Sequence, residues 1–295
     1  MASLQMTRGP TALALALALA ASSALARPAP SSPAPAATHD VTVATPESPY
    51  APYRVDPAAL ARAGAVRGRV TWSGPRPALP ATTVPASGNP DHCGAEQPWP
   101  ALDLGPDGGV RWSVLALRSV TAGAAPSTEP ATIDQQHCRY DPHVLAVAVG
   151  TELRFTNSDP GLLHNVHAYY GYDGDDNWFN AASPHGLTIA RRAQRVGVAR
   201  LICDAGHTWM AAYVHTFAHP YFAVTDAEGR YQIGRVPPGR YALTFWHEGW
   251  TELRREQNRP VYGPAVEAEA AVTVAPDGAA TVDWSLSPTG ASPRQ

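Results

Sequence analysis

The stretch Cys203-Asp204-Ala205-Gly206-His207-Thr208-Trp209-Met210 places a thiol, an imidazole and a thioether within one short segment. Residues 157–167, with the sequence Asn-Ser-Asp-Pro-Gly-Leu-Leu-His-Asn-Val-His, add a second imidazole at His164, after the strand-like run 144–156. Taken singly, a Cys or a Met is more often a buried apolar residue than a ligand. The whole set in this order, with a His-Asn pair upstream, favours a metal site.

The chemistry of these groups indicates which metal. Two imidazoles and one thiolate in a trigonal plane, with a long and weak axial thioether, are the ligands of a blue copper site. A short loop between two strands suits such a site because its backbone fixes the ligand geometry. The sequence therefore predicts one type 1 copper ion bound by four residues: His164, Cys203, His207 and Met210.

The two segments resemble the cupredoxins, the plastocyanin- and amicyanin-like blue copper proteins, over roughly the middle third of the chain. The resemblance implies a Greek-key β-sandwich and the four copper ligands named above. It also implies that Asn165, directly after the first His, ties the two ligand loops together and orients them. One departure concerns the spacing, because three residues separate Cys203 from His207 where close relatives carry two.

The cysteine count bears on the same interpretation. A secreted protein with three Cys leaves one thiol over after two have paired. If copper holds Cys203, the remaining pair is Cys93 with Cys138. The alternative pairing of Cys138 with Cys203 would abolish the copper site, and only the ligand argument ranks the two.

Histidines are concentrated in the same region, with eight of the 11 between residues 137 and 219. A second metal site would explain the clustering, and the alternative is that these residues form hydrogen bonds around one copper ion or are exposed. His167 is the strongest additional ligand candidate, since it shares a face with Asn165 if the segment is extended. His143, after Asp141-Pro142, is a weaker one.

The ends of the chain read as processing and linker segments. Residues 1–26 have the pattern of a signal peptide, with Arg8, a short apolar run and Ala-Leu-Ala before Arg27. We therefore expect a periplasmic or extracellular protein in an oxidising compartment, without a membrane span. The high Pro and Ala content of residues 27–60 predicts a disordered linker. Residues 289–295 are predicted to form a disordered tail.

Short apolar runs separated by turns predict an all-β protein. Residues 110–120 are predicted to form one such strand, and residues 144–155 suggest a β-hairpin across Gly150-Thr151. The predicted cupredoxin-like domain spans residues 61–215. The net charge of −3 offers no electrostatic footprint for nucleic acid.

A second small β-sandwich is predicted over residues 216–288. The motifs Thr-Asp-x-x-Gly-x-Tyr at 225–231 and Pro-Pro-Gly-x-Tyr-x-Leu at 237–243 resemble the carboxypeptidase-regulatory-like, transthyretin-type module, which is non-catalytic. Residues 66–74 also look like the opening strand of that module, so the two modules are either sequential or nested. Trp246-His247-Glu248 is interpreted as a core Trp and a solvated strand end. The composite resembles uncharacterised secreted bacterial proteins.

Two classes of function follow. The first is a copper electron carrier, not an enzyme, whose redox partner, for example a cytochrome, docks near a solvent-facing edge of His207. The second is a non-catalytic structural or binding protein whose site is metal-free or stores copper. A copper enzyme is a weaker idea, because no ligand set compels an open second metal position. The oligomeric state is left open.

Overall fold

Four β-sheets make up most of the chain in a computed structural model, which describes residues 53–79, 81–98, 101–171 and 176–294. The predicted signal peptide and most of the predicted linker lie outside these residues. The strands are β1 (Arg54–Val55), β2 (Gly64–Trp72), β3 (Thr82–Thr83), β4 (Glu96–Gln97), β5 (Val114–Arg118), β6 (Ala122–Gly123), β7 (Ala131–Gln136), β8 (Arg139–Asp141), β9 (Val144–Ala148), β10 (Glu152–Asn157), β11 (Leu163–Tyr170), β12 (Asp176–Pro184), β13 (Thr188–Arg192), β14 (Gly197–Ile202), β15 (Ala211–Phe217), β16 (Phe222–Val224), β17 (Arg230–Val236), β18 (Gly239–His247), β19 (Glu252–Glu256), β20 (Arg259–Tyr262), β21 (Val266–Val274), β22 (Ala279–Thr281), β23 (Asp283–Ser287) and β24 (Gly290–Arg294). Two 3-10 turns, Pro57–Leu60 and Ala86–Gly88, and the single-turn helix α1 (Pro90–Cys93) are the helical segments in this part of the chain.

The first sandwich consists of a sheet with strand order β13-β10-β7-β8 and a sheet with order β12-β11-β14-β15-β9. Alternate residues of these strands point inward and share one core, to which Ile133, Phe155, Val166, Leu201 and Val214 belong. This core also contains the candidate ligands Cys203 and Met210. The all-β prediction is confirmed.

The second sandwich pairs a sheet of order β16-β5-β18-β21 with one of order β17-β2-β23-β24, and β22 also pairs with β2. Its separate core includes Val66, Leu117, Leu243, Phe245 and Trp284. A sandwich of this kind is present over the region where the sequence predicts a transthyretin-type module. That finer identity stays a prediction.

The two sandwiches pack face to face. Val114 and Trp246 of the second sandwich form one apolar cluster with Val144, Tyr213 and Phe217 of the first. This contact buries β15 on both of its faces, so all seven of its residues are buried. A strand covered on both faces reads as a continuous apolar run, and Ala-Ala-Tyr-Val-His-Thr-Phe fits that expectation apart from its His and Thr.

The strand pairing is nested. Strand β2 pairs with β17 and β23, and β5 pairs with β16 and β18, although both strands precede the first sandwich in the sequence. The strands of the first sandwich thus lie between β5 and β16. The pairing departs from the predicted limits of 61–215 and 216–288, because hydrogen bonding across sheets joins strands that are far apart in sequence.

The prediction of a β-hairpin over residues 144–155 is wrong. Strands β9 and β10 do follow one another through Gly150-Thr151, but β9 pairs with β15 and β10 pairs with β7 and β13. The turn at the sandwich edge carries the chain from one sheet to the other. Alternating apolar residues identify strands but do not identify their partners.

Both chain ends that the structure describes are more ordered than predicted. Residues 54–60 form β1 and a 3-10 turn, and Tyr53 donates a hydrogen bond to the carbonyl oxygen of Ala124 at 2.5 Å. At the other end, β24 (Gly290–Arg294) pairs with β23 instead of forming a disordered tail. Backbone pairing at a sheet edge accounts for both differences, since it does not require an apolar sequence.

Two segments outside the four main sheets extend toward the first sandwich. The hairpin β19–β20 turns through Gln257 and Asn258, both with positive φ, as a tight hairpin requires. The segment 82–97, with strands β3 and β4, is joined to the first sandwich by a disulfide between Cys93 and Cys138, the predicted pair. None of the described helices is long and apolar enough to cross a membrane.

Candidate metal centre

Strand register brings the two predicted ligand segments together. His164 is the second residue of β11, and its side chain is buried. Strand β11 pairs antiparallel with β14, with His167 opposite Ile202. Cys203, which directly follows β14, is thereby placed beside the start of β11, where His164 lies.

Three donor atoms converge at this point. The Nδ1 atoms of His164 and His207 lie 3.1 Å apart, and the Sγ of Cys203 lies 3.6 Å from Nδ1 of His207. Ligand atoms about 2.0–2.3 Å from one metal ion are roughly 3–4 Å from each other. His164, Cys203 and His207 therefore have the spacing of ligands to a single ion, and all three are buried.

The longer spacing between Cys203 and His207 does not separate them. Gly206 adopts a φ of +91°, which L side chains rarely adopt. A Cβ at this position would also come within 2.8 Å of the carbonyl oxygen of Ser87. The glycine thus lets the loop turn sharply enough to accommodate the additional residue.

The Nε2 atom of His164, which points away from the three donors, contacts the carboxylate of Asp159. His164 Nε2 lies 2.8 Å from Oδ2 of Asp159, and Asp159 accepts hydrogen bonds from the backbone N–H groups of His137 and Cys138 at 2.6 and 2.8 Å. Burial alone would raise the pKa of Asp159, but these N–H groups and His164 outweigh it and lower that pKa. A charged Asp159 accepts the Nε2–H and leaves the lone pair of Nδ1 facing the site.

His207 is neutral at physiological pH. Burial and the neighbouring His164 lower its pKa to about 4. Its Nε2 lies 3.3 Å from the side-chain amide nitrogen of Asn89. Burial also lowers the pKa of His164, against the opposing effect of Asp159. Both imidazoles are therefore unprotonated, as metal coordination requires.

Cys203 is the free cysteine and is fully buried. Burial raises the pKa of its thiol. Backbone N–H groups of Ala205, Asn165 and His207 act in the opposite direction, as does the Arg259 guanidinium. The sulfur is thus surrounded by groups that stabilise a thiolate once a metal replaces its proton.

Asn165 links the two ligand loops. Its Oδ1 accepts a hydrogen bond from the backbone N–H of Asp204 at 3.2 Å, and its Nδ2 donates to the carbonyl oxygen of Ala181 at 3.1 Å. The resemblance implied such a bridging role for this residue. The bridge ties the residue after His164 to the residue after Cys203.

Met210 is buried on the same loop, and its backbone N–H donates to the carbonyl oxygen of His207 at 3.0 Å. It belongs to the core cluster that contains Cys203. The structure therefore places Met210 in the apolar surroundings of the site.

The two additional ligand candidates lie away from the three donors. His167 contacts Asp204 through Nδ1 at 2.5 Å and Tyr169 at 2.8 Å. His143 is buried where the sandwiches meet, with Nδ1 2.9 Å from the carbonyl oxygen of Ala211 and Nε2 against Glu248. Neither His belongs to a group of three closely spaced donors among the described residues. Glu248 is buried too, so the prediction of a solvated strand end was wrong.

The expectation that His207 offers a solvent-facing edge is wrong. Its side chain is 0% exposed, because Asn89 and the preceding turn cover it. Gly88 in this turn lies against Trp209, so closely that a Cβ there would come within 2.8 Å of the indole. We call residues 85–89 the cover segment.

Several residues that shape the site are absent from the sequence-based prediction. Asp159 could have been recognised, since an acidic residue five positions before a ligand His can orient it. Asn89, Tyr140 and Arg259 carry no local signal. Tyr140 donates from its hydroxyl to the carbonyl oxygens of Asn165 and Ile202 at 2.5 and 3.0 Å, and so spans both ligand strands.

The known proteins that this chain resembles are solved structures of low sequence identity. No family model and no curated protein matches the chain. Among solved structures, a novel purple cupredoxin from Nitrosopumilus maritimus is 22% identical, with 30% of this chain and 99% of that chain covered and a TM-score of 0.26. Amicyanin from Paracoccus versutus is 16% identical, with 30% and 81% covered and a TM-score of 0.27.

A third solved structure is the copper-containing nitrite reductase of Thermus scotoductus, at 22% identity, with 30% of this chain and 22% of that chain covered and a TM-score of 0.26. At such identities and TM-scores these likenesses assign no family and no function. The chemistry of the site is carried by its own residues.

Proposed function

We propose that this chain binds a single copper ion at His164, Cys203 and His207, with Met210 as a weak axial ligand, and that it carries single electrons. The observation that carries the proposal is the convergence of two Nδ1 atoms and one Sγ from two loops. One thiolate and two imidazoles suit copper. A bound copper ion would supply a one-electron couple.

The surroundings suit a carrier because they hold the ligands rigidly. Asp159 fixes one imidazole, the cover segment encloses the other, and backbone N–H groups surround the sulfur. Ligands that cannot move cost little reorganisation when an electron arrives or leaves. A catalytic metal site binds water or substrate at an open position, and the burial of all three donors here leaves a substrate little access to them. We therefore propose a carrier and not an enzyme.

A redox partner protein, such as a cytochrome, would dock beside Cys203 and not at His207. Asp204 follows Cys203 directly, and its side chain is 42% exposed. It contacts His167 and Arg259, which are partly exposed. Few covalent bonds separate Asp204 from the sulfur of Cys203, so an electron would pass through the Cys203 backbone. We place the protein in the periplasm or outside the cell, where a disulfide can form.

Copper storage is the second candidate function, and the complete burial of His207 favours it. A buried ligand exchanges its metal slowly, which suits a store better than a partner-facing carrier. Storage uses the same donors, so only the redox behaviour of the bound metal separates the two candidates.

The test is the visible absorption spectrum of the purified protein after addition of Cu(II), beside Cys203→Ser. An intense thiolate-to-copper band that is absent in the variant, together with reversible one-electron reduction, supports the carrier. Uptake of one equivalent with the band but without reversible reduction points to storage. No uptake at all would overturn the proposed metal site.

A further inference from the structure

The disulfide forms one wall of the proposed metal site. The two sulfur atoms of Cys93 and Cys138 and a ring nitrogen of His207 all lie within 4.8 Å of one another. Cys138 Sγ is also within 4.8 Å of a carboxylate oxygen of Asp159 and a ring nitrogen of His164. Trp209 on the ligand loop donates from Nε1 to the carbonyl oxygen of Cys138 at 2.9 Å.

A disulfide whose only role is to join segment 82–97 to the first sandwich would not have to lie beside the ring nitrogens of His164 and His207. Here three overlapping groups of donors share their members: the proposed ligands, the disulfide with His207, and Cys138 with His164 and Asp159. While the S–S bond exists, its sulfurs are poor metal ligands. Once it is reduced, the same positions offer two thiolates next to the imidazole of His207.

We infer that the Cys93–Cys138 disulfide is a reducible element of this centre, and that its reduction creates a thiolate-rich site for Cu(I) with His207. Soft thiolate ligands select Cu(I) among the biological copper states. This inference rests on the proposed function, because both sites use His207 and the same enclosed space.

The reduction step uses a dithiol reductant. Two electrons from the dithiol break the S–S bond, and the dithiol becomes a cyclic disulfide. Two protons pass to Cys93 and Cys138. When Cu(I) binds, the coordinating thiols release their protons to solvent.

Both cysteines are buried, but exposed residues flank each of them in the sequence. Cys93 ends the single turn α1 and is flanked by the exposed residues His92 and Gly94. Cys138 is flanked by the exposed residues His137 and Arg139. We expect a small dithiol to reach the bond when the single-turn segment α1 moves.

The experiment uses Cys203→Ser, which removes the blue-copper ligand and leaves the disulfide. One sample is kept oxidised. The other is treated with a dithiol, freed of it under anaerobic conditions, and checked for two free thiols by alkylation and mass spectrometry. Cu(I) binding to both is measured by competition with a coloured cuprous chelator, and circular dichroism reports the fold.

We expect the reduced variant to hold one equivalent of Cu(I) at least about tenfold more tightly than the oxidised variant. Adding His207→Ala should remove most of that gain. Equal affinity of the two samples would overturn the inference. Unfolding on reduction would also overturn it, because the thiols would no longer be held beside His207.

The two proposals fail in different ways. Absence of the thiolate-to-Cu(II) band in the oxidised wild-type protein removes the carrier function without affecting the Cys203→Ser comparison. A wild-type protein that shows the band, while reduced and oxidised Cys203→Ser bind Cu(I) equally, retains the carrier and loses the reducible site.

Discussion

The guanidinium of Arg259 donates a hydrogen bond from Nη2 to the carbonyl oxygen of Cys203 at 2.7 Å. It also contacts the carbonyl oxygen of Thr208 and a carboxylate oxygen of Asp204, both at 3.3 Å. Arg259 begins β20, a strand that lies between strands of the second sandwich in the sequence. A residue outside the first sandwich therefore holds the ligand loop.

We predict that Arg259→Ala lowers the reduction potential of the bound copper. The positive charge favours the thiolate of Cys203, whose pKa it lowers, and for the same reason it favours the reduced metal. Because the side chain is only 17% exposed, its effect is incompletely screened, and we expect a decrease on the order of tens of millivolts. Protein-film voltammetry would measure it.

Arg255→Ala is the matched control for that measurement. Arg255 lies in the same hairpin and pairs with Glu252 at the surface. Its removal should leave the potential and the visible spectrum unchanged. If Arg259→Ala binds copper with the wild-type potential, the guanidinium does not tune the site.

A second prediction concerns Asp159→Asn. An amide in place of the carboxylate weakens the contact that keeps the proton on Nε2 of His164, so Nδ1 is less often free for the metal. Loss of such a hydrogen-bond partner typically lowers metal affinity about 10–100-fold. Copper affinity is measured by chelator competition at a temperature where the variant is fully folded.

Asp159 also accepts two backbone hydrogen bonds, so a stability loss of about 1–3 kcal/mol accompanies the substitution. Ser158→Ala, at the exposed neighbouring position, should change neither property. A variant with reduced stability and wild-type copper affinity would show that Asp159 supports only the turn.

The convergence of His164, Cys203 and His207 was predictable because the residue types and their order express the chemistry of the site directly. Three ligand candidates lie in one loop. A single antiparallel strand register is enough to bring the segment that carries the fourth candidate, His164, beside that loop. The pairing of Cys93 with Cys138 followed from the same argument. These inferences depend on chemistry and not on the details of packing.

The enclosure of the site could not be predicted in this way. Asn89 reaches His207 across 118 residues of sequence, and Arg259 reaches Cys203 across 56. Neither carries a motif, because any polar residue of suitable length could serve once the fold has placed it. The nested strand order has the same cause, since the alternation of β2 and β5 identifies strands without naming their partners.

The cover segment gives a third prediction. A Cβ on Gly88 would come within 2.8 Å of the Trp209 indole, so Gly88→Val should push residues 85–89 away from His207. We expect copper to be lost to an excess of chelator about tenfold faster, which corresponds to about 1.4 kcal/mol of lost protection. Stopped-flow absorbance at the copper band would follow the release.

Ser87→Ala provides the control within the same segment. The Ser87 side chain is exposed, and only its carbonyl oxygen faces Gly206, so this substitution should leave the release rate unchanged. Equal rates for Gly88→Val and the wild-type protein would mean that the cover does not limit exchange.

The last prediction concerns His215, which lies in β15 where the sandwiches meet. Its side chain is 7% exposed, and burial lowers its pKa to about 3. The ring lies 4.3 Å from that of Trp246, and its Nε2 has no hydrogen-bond partner among the described residues. The folded protein therefore holds this imidazole neutral, while the unfolded chain titrates it near 6.5.

The sign of the effect follows from proton linkage. Between about pH 6.5 and pH 3 the unfolded chain binds a proton that the folded chain does not, so stability is complete above that window and is lost as pH falls through it. The loss attributable to His215 is on the order of a few kcal/mol. His215→Leu should remove this part of the pH dependence. Urea unfolding of the metal-free protein at pH 7, 6, 5 and 4 measures it, with the exposed His185→Leu as the matched control. If wild-type and His215→Leu proteins lose stability in parallel as the pH falls, the buried imidazole is not responsible for the acid sensitivity.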